Sequence, residues 1–108
     1  MSDYNHVTLV GNLTSKPETQ TINGKCRTTF TIAVHRDFKV NGEEVTDFIN
    51  INAWGKLAEI CEQYLDKGKK VLVDGRLQIR EYTDKDEKKW FTEVIADTMK
   101  ILSPKASS

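Results

Sequence analysis

Hydrophobic and polar residues alternate along five segments of the chain, which is the pattern of strands that bury one face. The first segment runs from His6 to Leu13, the second from Cys26 to Val34 and the third from Val45 to Trp54. The fourth covers Val71 to Ile79, and the last begins at about Trp90 and ends at about Leu102. We therefore predict five strands.

Two Asn-Gly pairs mark tight turns, because both residue types accept the positive φ values that such turns require. Asn41-Gly42 joins the second and third strands as a hairpin. Asn23-Gly24 follows a polar stretch from Thr14 to Ile22 that we do not count among the strands. A polar tip from Thr83 to Lys89 separates the last two strands.

One segment changes period, because between Lys56 and Leu65 the apolar residues recur every three to four positions. This spacing places them on one face of a helix. The predicted buried face consists of Leu57, Ile60, Cys61, Tyr64 and Leu65. Gly68 follows at a position that suits a helix C-terminal cap.

The predicted order is strand, strand, strand, helix, strand, strand, with antiparallel pairing within the first three and the last two strands. Five short strands can close into a small barrel with the helix covering one end. We therefore expect an all-β fold with one short helix, a five-stranded OB-fold barrel with the helix between strands three and four. The domain is predicted to span residues 1–102, followed by a frayed C-terminal tail over residues 103–108.

Composition narrows the class of protein further. The chain has 108 residues, with 16 Lys plus Arg balanced by 16 Asp plus Glu. No apolar run approaches the about 18 residues of a membrane span, and the polar N-terminus does not resemble a signal peptide, so we expect a cytoplasmic protein. Two cysteines, Cys26 and Cys61, are expected to be free structural thiols. With zero net charge, any basic surface must be local.

The outward faces of strands three and four carry the candidate binding chemistry. Phe48, Asn50, Asn52 and Trp54 alternate with the predicted core residues of strand three, so their side chains point away from the core. The same parity of strand four presents Arg76, Arg80 and Tyr82. Aromatic rings stack on bases and cations pair with phosphates, so this combination suits single-stranded nucleic acid. Residues 67–89 add eight Lys or Arg against five Asp or Glu.

The same aromatic residues have a second interpretation. Phe48 and Trp54 could instead be buried in a subunit interface or under the hairpin from Phe38 to Glu44. Trp90 and Phe91 are adjacent and must point to opposite faces, so we assign Phe91 to the structure and leave Trp90 free to meet a ligand.

Catalytic and metal-binding patterns are weak. His6 and His35 lie on different strands, and no HxH or CxxC spacing accompanies the cysteines. Neither Gly55-Lys56 nor Gly68-Lys69 completes a phosphate-binding loop of the Walker type. We therefore expect no catalytic residues, no metal and no cofactor.

Several blocks of sequence, taken together, resemble the bacterial-type single-stranded DNA-binding proteins. The resemblance covers residues 4–102, nearly the whole chain, and its order of blocks is specific. The blocks are Asn5-His6-Val7-Thr8-Leu9-Val10-Gly11-Asn12-Leu13, Pro17-Glu18, Trp54-Gly55-Lys56-Leu57-Ala58-Glu59, Tyr64-Leu65-Asp66-Lys67-Gly68 and Val73-Asp74-Gly75-Arg76-Leu77.

The resemblance implies an OB-fold that assembles as a homotetramer, with a dimer as the alternative, and that binds and protects single-stranded DNA in replication, recombination and repair. It places stacking aromatics at Phe38, Phe48, Trp54 and Tyr82, to which the facing argument adds Trp90. It places phosphate contacts at Lys56, Lys67, Arg76 and Arg80, and it makes the first hairpin and the 83–89 tip mobile arms that close over DNA.

The chain departs from the family pattern in three places. His6 and Glu81 stand where a cation is common, and the sequence ends at Ser108 without the acidic tail that recruits other genome-maintenance proteins. The leading hypothesis is sequence-independent binding of single-stranded DNA. The alternatives are an OB-fold protein-interaction module of the primosome-accessory type and an RNA-binding barrel.

Overall fold

Six strands and one helix form the fold, one strand more than the sequence predicts. The computed structural model describes residues 3–103. In chain order the elements are β1 (Val7–Leu13), β2 (Glu18–Ile22), β3 (Lys25–His35), β4 (Thr46–Trp54), α1 (Lys56–Tyr64), β5 (Lys70–Asp84) and β6 (Glu87–Ile101).

Five of the strands close into a barrel, as predicted for an OB-fold. The sheet order is β1-β5-β6-β4-β3-β2, and an additional pairing of β1 with β3 closes the ring. That closing contact is short, with Asn12 opposite Ala33 and Leu13 opposite Ile32. The β4–β6 pairing is parallel and joins the two antiparallel groups of strands, with Ile51 opposite Val94.

The additional strand is β2, which the sequence analysis left as a polar stretch. It pairs with β3 alone, across the tight turn in which Asn23 has φ 50° and Gly24 has φ 79°. Its sequence Glu-Thr-Gln-Thr-Ile is polar because β2 lies at the sheet edge, outside the closed ring. The prediction of five strands was wrong because an edge strand needs no apolar face.

The core fills the barrel and continues under the helix. Fully or almost fully buried apolar side chains come from every barrel strand, namely Leu13, Phe30, Ile32, Ile51, Ala53, Val71, Val73, Val94 and Ala96. Helix α1 adds Ala58 and Cys61, and the buried Thr28 hydroxyl donates a 2.7 Å hydrogen bond to the carbonyl of Ala58. The helix therefore plugs the barrel end through both packing and a hydrogen bond.

The helix presents a narrower buried face than its apolar pattern predicts. It ends at Tyr64, and the extended Leu65 caps it by donating its N–H to the carbonyl of Cys61 at 3.0 Å. Ile60 and Tyr64 are exposed, because a nine-residue helix over a barrel opening buries little more than one stripe. Gly68 is not the cap, since it lies in the following turn and donates its N–H to Leu13.

The β5–β6 hairpin is longer than predicted and projects beyond the barrel. Its turn contains only Lys85 and Asp86, both with positive φ, so most of the predicted polar tip is paired strand. Leu77 and Ile79, which the alternation placed inside, are exposed: Leu77 lies opposite Val94, the buried apolar residue of β6 nearest the turn, and Ile79 lies beyond it. We call residues 77–92 the second arm, and the loop at residues 36–45 the first arm.

The C-terminal end of the described chain returns to the barrel. Ser103 accepts a 2.6 Å hydrogen bond from the backbone N–H of Lys70 through its hydroxyl oxygen. Residues 104–108 of the predicted frayed tail lie outside the described residues. The domain boundary at residue 102 stays a prediction.

Candidate nucleic-acid interface

The outer face of β3, β4, β5 and β6 contains a shallow groove. Alternation along these strands sends one residue in two away from the core, and strand twist makes the resulting surface concave. A cavity of about 300 Å³ extends over β3, β4 and β6, and a smaller one of about 140 Å³ lies beside Trp54. Both cavities are lined by Arg27, Asn52, Arg80 and Glu93, so we treat them together as the groove.

Trp54 stands at one end of the groove next to a cation. The guanidinium of Arg27 lies 5.7 Å from the centroid of the Trp54 ring. Its Nε also donates a 2.9 Å hydrogen bond to Oδ1 of Asn52, which fixes the arginine against β4. This end of the groove therefore combines a flat ring with an oriented positive charge.

A buried carboxylate forms the floor of the groove. Glu93 on β6 is 1% exposed, although the parity of the strand points it outward. Its Oε2 accepts hydrogen bonds from Arg80 and, at 3.4 Å, from Gln78. The Arg80 guanidinium also lies 5.0 Å from the Phe91 ring centroid. Arg80 thus covers both Glu93 and Phe91.

Four of the five predicted stacking residues lie on or beside the outer face. Phe48 and Trp54 take the outward positions of β4, and Tyr82 follows Arg80 on the outward parity of β5. Phe38 is exposed in the first arm. Phe48 is 67% exposed and Trp54 is 39% exposed, because Arg27 covers part of the indole.

Trp90 lies on the opposite face of the second arm from Tyr82. It pairs with Glu81, and its side chain is on the same face of the hairpin as Leu77 and Ile79. This face continues the inner face of the barrel strands. Phe91 takes the groove face instead, where it is half-buried beneath Arg80. The assignment of Phe91 to the structure was right about its packing but missed that it lines the groove.

The predicted phosphate contacts differ in whether another side chain already pairs with them. Arg76 is exposed and makes a long 3.4 Å hydrogen bond to Gln78, whereas Arg80 is already paired with Glu93. Lys56 is exposed at the first residue of α1, close in sequence to Trp54. Lys67 is exposed in the loop after α1, and neither lysine lines the groove.

Sequence reasoning missed the residues that shape the groove floor. Arg27 was not among the predicted site residues, and Asn52 is buried although its face points outward. Glu93 was not considered at all. Because Val94 next to it points into the core, Glu93 is expected to point outward. The sequence does not indicate that the two neighbouring strands bury a carboxylate on that face.

The first arm is held at its base by an ion pair. Arg36 donates two hydrogen bonds of 3.1 Å to the carboxylate of Asp47. The pair lowers the pKa of Asp47, mainly through the hydrogen bond, and raises the pKa of Arg36. At the tip, Asn41 and Gly42 both have positive φ, and Val40 pairs with Glu43. Phe38 lies between these two constraints.

Other reactive side chains are dispersed. Cys26 and Cys61 are free thiols, and burial raises the pKa of Cys61 to about 11. Nε2 of His6 lies 3.3 Å from Asp74, and Nδ1 of His35 lies 2.8 Å from Thr46. Within residues 3–103 no three such side chains are grouped to hold a metal ion. In the same range no helix is long and apolar enough to cross a membrane.

Comparison with known proteins gives one consistent result. The model of the single-strand binding protein family matches residues 4–102. The "Single-stranded DNA-binding protein 2" of Streptococcus agalactiae serotype V is 42% identical over 105 residues, which are 95% of this chain and 80% of that protein. The protein of the same name from Staphylococcus aureus Mu50 is 48% identical over 104 residues, 94% of this chain and 74% of that one. "Single-stranded DNA-binding protein 1" of Chlorobaculum tepidum is 42% identical over 109 residues.

Proposed function

The chain belongs to the single-strand binding protein family, and from this membership we propose that it binds single-stranded DNA without requiring a particular sequence. The observation that carries the proposal is the outward face of β4, where Phe48 and Trp54 are exposed on either side of the groove residues. An exposed pair of large aromatic rings on a strand needs a partner to cover it. Successive unstacked bases are such a partner.

The binding mechanism combines stacking with phosphate neutralisation. Bases stack on Phe48 and Trp54 and, where the arms close over the strand, on Phe38 and Tyr82. Arg76, Lys56 and Lys67 are exposed and supply phosphate contacts along the path. Arg80 is held by Glu93, so it contributes less charge than its position on β5 predicts. Trp90, on the opposite face of the second arm, contacts only DNA that passes around the arm.

We propose that the protein acts by binding alone, without catalysis, and protects single strands in replication, recombination and repair in the cytoplasm, at the nucleoid. We also propose a homotetramer, on the basis of the family and of the apolar side chains that one copy leaves exposed on the second arm. These are Leu77, Ile79 and Trp90. Light scattering at micromolar concentration should give a mass near four chains, and a stable monomer would contradict this assembly.

Tryptophan fluorescence tests the binding proposal directly. In a Trp90→Phe variant only Trp54 emits, so titration with oligo-dT reports stacking at the proposed platform. We expect quenching that weakens with salt, with a logarithmic slope of about −0.7 for each phosphate contact. Absence of quenching and of binding at low salt would mean that the aromatic face contacts a protein instead. Competition with an RNA of equal length tests the choice of sugar.

The stacking mechanism predicts a large effect of the Phe48→Ala, Trp54→Ala double variant. Each stacked base contributes roughly 1–3 kcal/mol, so affinity for labelled oligo-dT should fall at least about tenfold in anisotropy titrations. The matched control is Ile60→Ala, Tyr64→Ala, which removes two exposed apolar side chains from α1. A folded double variant that binds as well as the parent would refute stacking on β4.

A further inference from the structure

The floor of the groove contains a hydrogen-bond acceptor that no described residue uses. Glu93 is 1% exposed, and both of its bonds, from Arg80 and from Gln78, end on Oε2. Oε1 is buried and has no hydrogen-bond partner within residues 3–103. Buried polar atoms are nearly always paired, and a carboxylate oxygen can only accept. The oxygen is therefore an unused acceptor that a donor from outside the described chain can pair with.

Donors stand next to this acceptor along β4. Oδ1 of Asn52 accepts from Arg27 at 2.9 Å, and Oδ1 of Asn50 accepts from Thr31 at 3.0 Å. Because each asparagine uses its oxygen in this way, its amide nitrogen remains to donate elsewhere. Both asparagines line the same cavity as Glu93. The groove thus offers an acceptor beside donors.

We propose that the groove is a subsite for a base whose Watson–Crick edge carries an amino donor next to a ring-nitrogen acceptor, cytosine or adenine, and that this amino group donates to Oε1 of Glu93. These two bases present an amino donor next to a ring-nitrogen acceptor, which matches Glu93 beside Asn52. On its Watson–Crick edge thymine presents a carbonyl next to a ring N–H, which places oxygen against oxygen. Guanine presents its amino group next to a ring N–H rather than next to an acceptor, which places a donor against the Asn52 amide donor. The inference rests on the proposed binding of single-stranded DNA and adds a base preference to it.

The surroundings of Glu93 suit a flat base. Phe91 lines the larger cavity and Trp54 the smaller one, so an aromatic ring lies on each side of the carboxylate. Arg80 is the cover, and its side chain is 52% exposed. A long, half-exposed side chain can turn toward a phosphate and leave the carboxylate open to the groove.

The experiment compares oligonucleotides that differ only at the proposed contact. Oligo-(5-methyl-dC) and oligo-dT share the 5-methyl group and differ in the amino or carbonyl group at position 4 and in the ring-nitrogen proton. Oligo-dA and oligo-dI form the equivalent purine pair. Affinities are measured by anisotropy at mildly alkaline pH for the parent and for Glu93→Gln. Glutamine keeps the shape of the side chain but adds an N–H that favours a carbonyl edge.

We expect Glu93→Gln to lower the ratio of amino-base to carbonyl-base affinity by about threefold to tenfold in at least one pair. The pair that responds identifies the base. The control is Glu81→Gln, which removes the same charge from the opposite face of the second arm, where Glu81 is exposed and 3.7 Å from Lys88. It should leave both ratios unchanged. Because the ratio cancels the phosphate contacts, release of Arg80 does not affect it.

A second variant keeps the test valid if Glu93→Gln does not fold. Asn52→Asp replaces the neighbouring amide donor by an acceptor and should lower the same ratio. The proposal is overturned if the folded variants bind both members of each pair with the parent's ratio. Loss of binding to every oligonucleotide by the parent would instead refute the proposed function, so the two failures are distinguishable.

Discussion

The two halves of the β5–β6 hairpin have the same sequence pattern and different surroundings. In the barrel half, Val71 and Val73 of β5 and Val94 and Ala96 of β6 are buried in one core cluster. In the second arm the same parity continues through Ile79, which is 59% exposed. Strand pairing is unbroken from one half to the other, apart from a register shift between Asp74 and Gly75. The backbone ladder therefore extends beyond the layer that buries its side chains.

This difference shows that alternation of apolar and polar residues predicts the face of a side chain but not its burial. A period of two assigns side chains to faces, but burial depends on whether another element covers that face. In the barrel half the cover is the rest of the ring and α1. In the second arm, within the described part of the chain, it is solvent, and the apolar side chains remain available to another molecule.

The largest contrast is expected in thiol reactivity inside the barrel. Burial raises the pKa of Cys61 to about 11 from an ordinary value of 9.0. Only the thiolate reacts, and at neutral pH its population is lower by about a hundredfold. A Cys26→Ser variant isolates Cys61, and its labelling by a thiol reagent should be very slow at neutral pH and should rise about tenfold for each pH unit until the pH approaches 11.

The control is the Cys61→Ala variant, in which the half-buried Cys26 should react faster under the same conditions. Both variants should react fully in denaturant. Rapid neutral labelling of Cys61 in the native protein would show that the barrel end under α1 opens to solvent.

The next effect concerns the close packing at the base of the hairpin. A Cβ added at Gly75 would stand 2.0 Å from the carbonyl oxygen of Ile95, so the strands would have to separate. We expect Gly75→Ala to lower the free energy of unfolding by at least about 1–3 kcal/mol in urea titrations. In the dissociated chain, Ile79→Ala, at an equivalent position of the second arm, should change it by no more than about 0.5 kcal/mol.

The results for Gly75→Ala and Ile79→Ala can change the comparison of the two halves of the hairpin. A larger loss for Ile79→Ala at concentrations where the proposed tetramer forms would mean that a second copy of the chain covers the arm. An unchanged stability of Gly75→Ala would mean that the register shift beside it absorbs the added methyl group.

The barrel was predictable from sequence because its signals are local and redundant. The alternation around Ile32 and Ile51 and the change of period at Lys56 each indicate one element, and closure into five strands is the simplest way to bury all of them. Strand β2 was not predicted because it lies at the edge of the sheet and carries few apolar residues. The parallel β4–β6 pairing also could not be read, since nothing in either strand specifies its neighbour.

The candidate site was predictable only in part. The alternation of side chains between the two faces of a strand predicted that Phe48, Trp54 and Arg76 point outward. They could not show that Arg80 is engaged by Glu93, because ion pairing across β5 and β6 depends on the register of a long hairpin. The opposite facing of Trp90 and Phe91 was predictable from their adjacency, but which of the two lines the groove was not, since that depends on the register of β6 against β5.

The smallest effect is expected at the base of the first arm, where both partners of the ion pair are exposed. Arg36 lowers the pKa of Asp47, so the ionised carboxylate is favoured in the folded state. The pair's contribution is fully present above the ordinary carboxylate pKa and is lost as the pH falls through the lowered value. Asp47→Asn should therefore cause a slight loss of stability at neutral pH that disappears in acid.

Urea titrations across this pH range measure the effect, and hydrogen exchange of the arm amides reports it locally. The matched control is Asp37→Asn, which removes the same charge from the first arm and leaves the Arg36–Asp47 pair intact. Equal pH profiles for the two variants would show that general charge, rather than the pair, sets the stability of the arm. A difference confined to Asp47→Asn would show that the arm, unlike the barrel, depends on a single polar contact at its base.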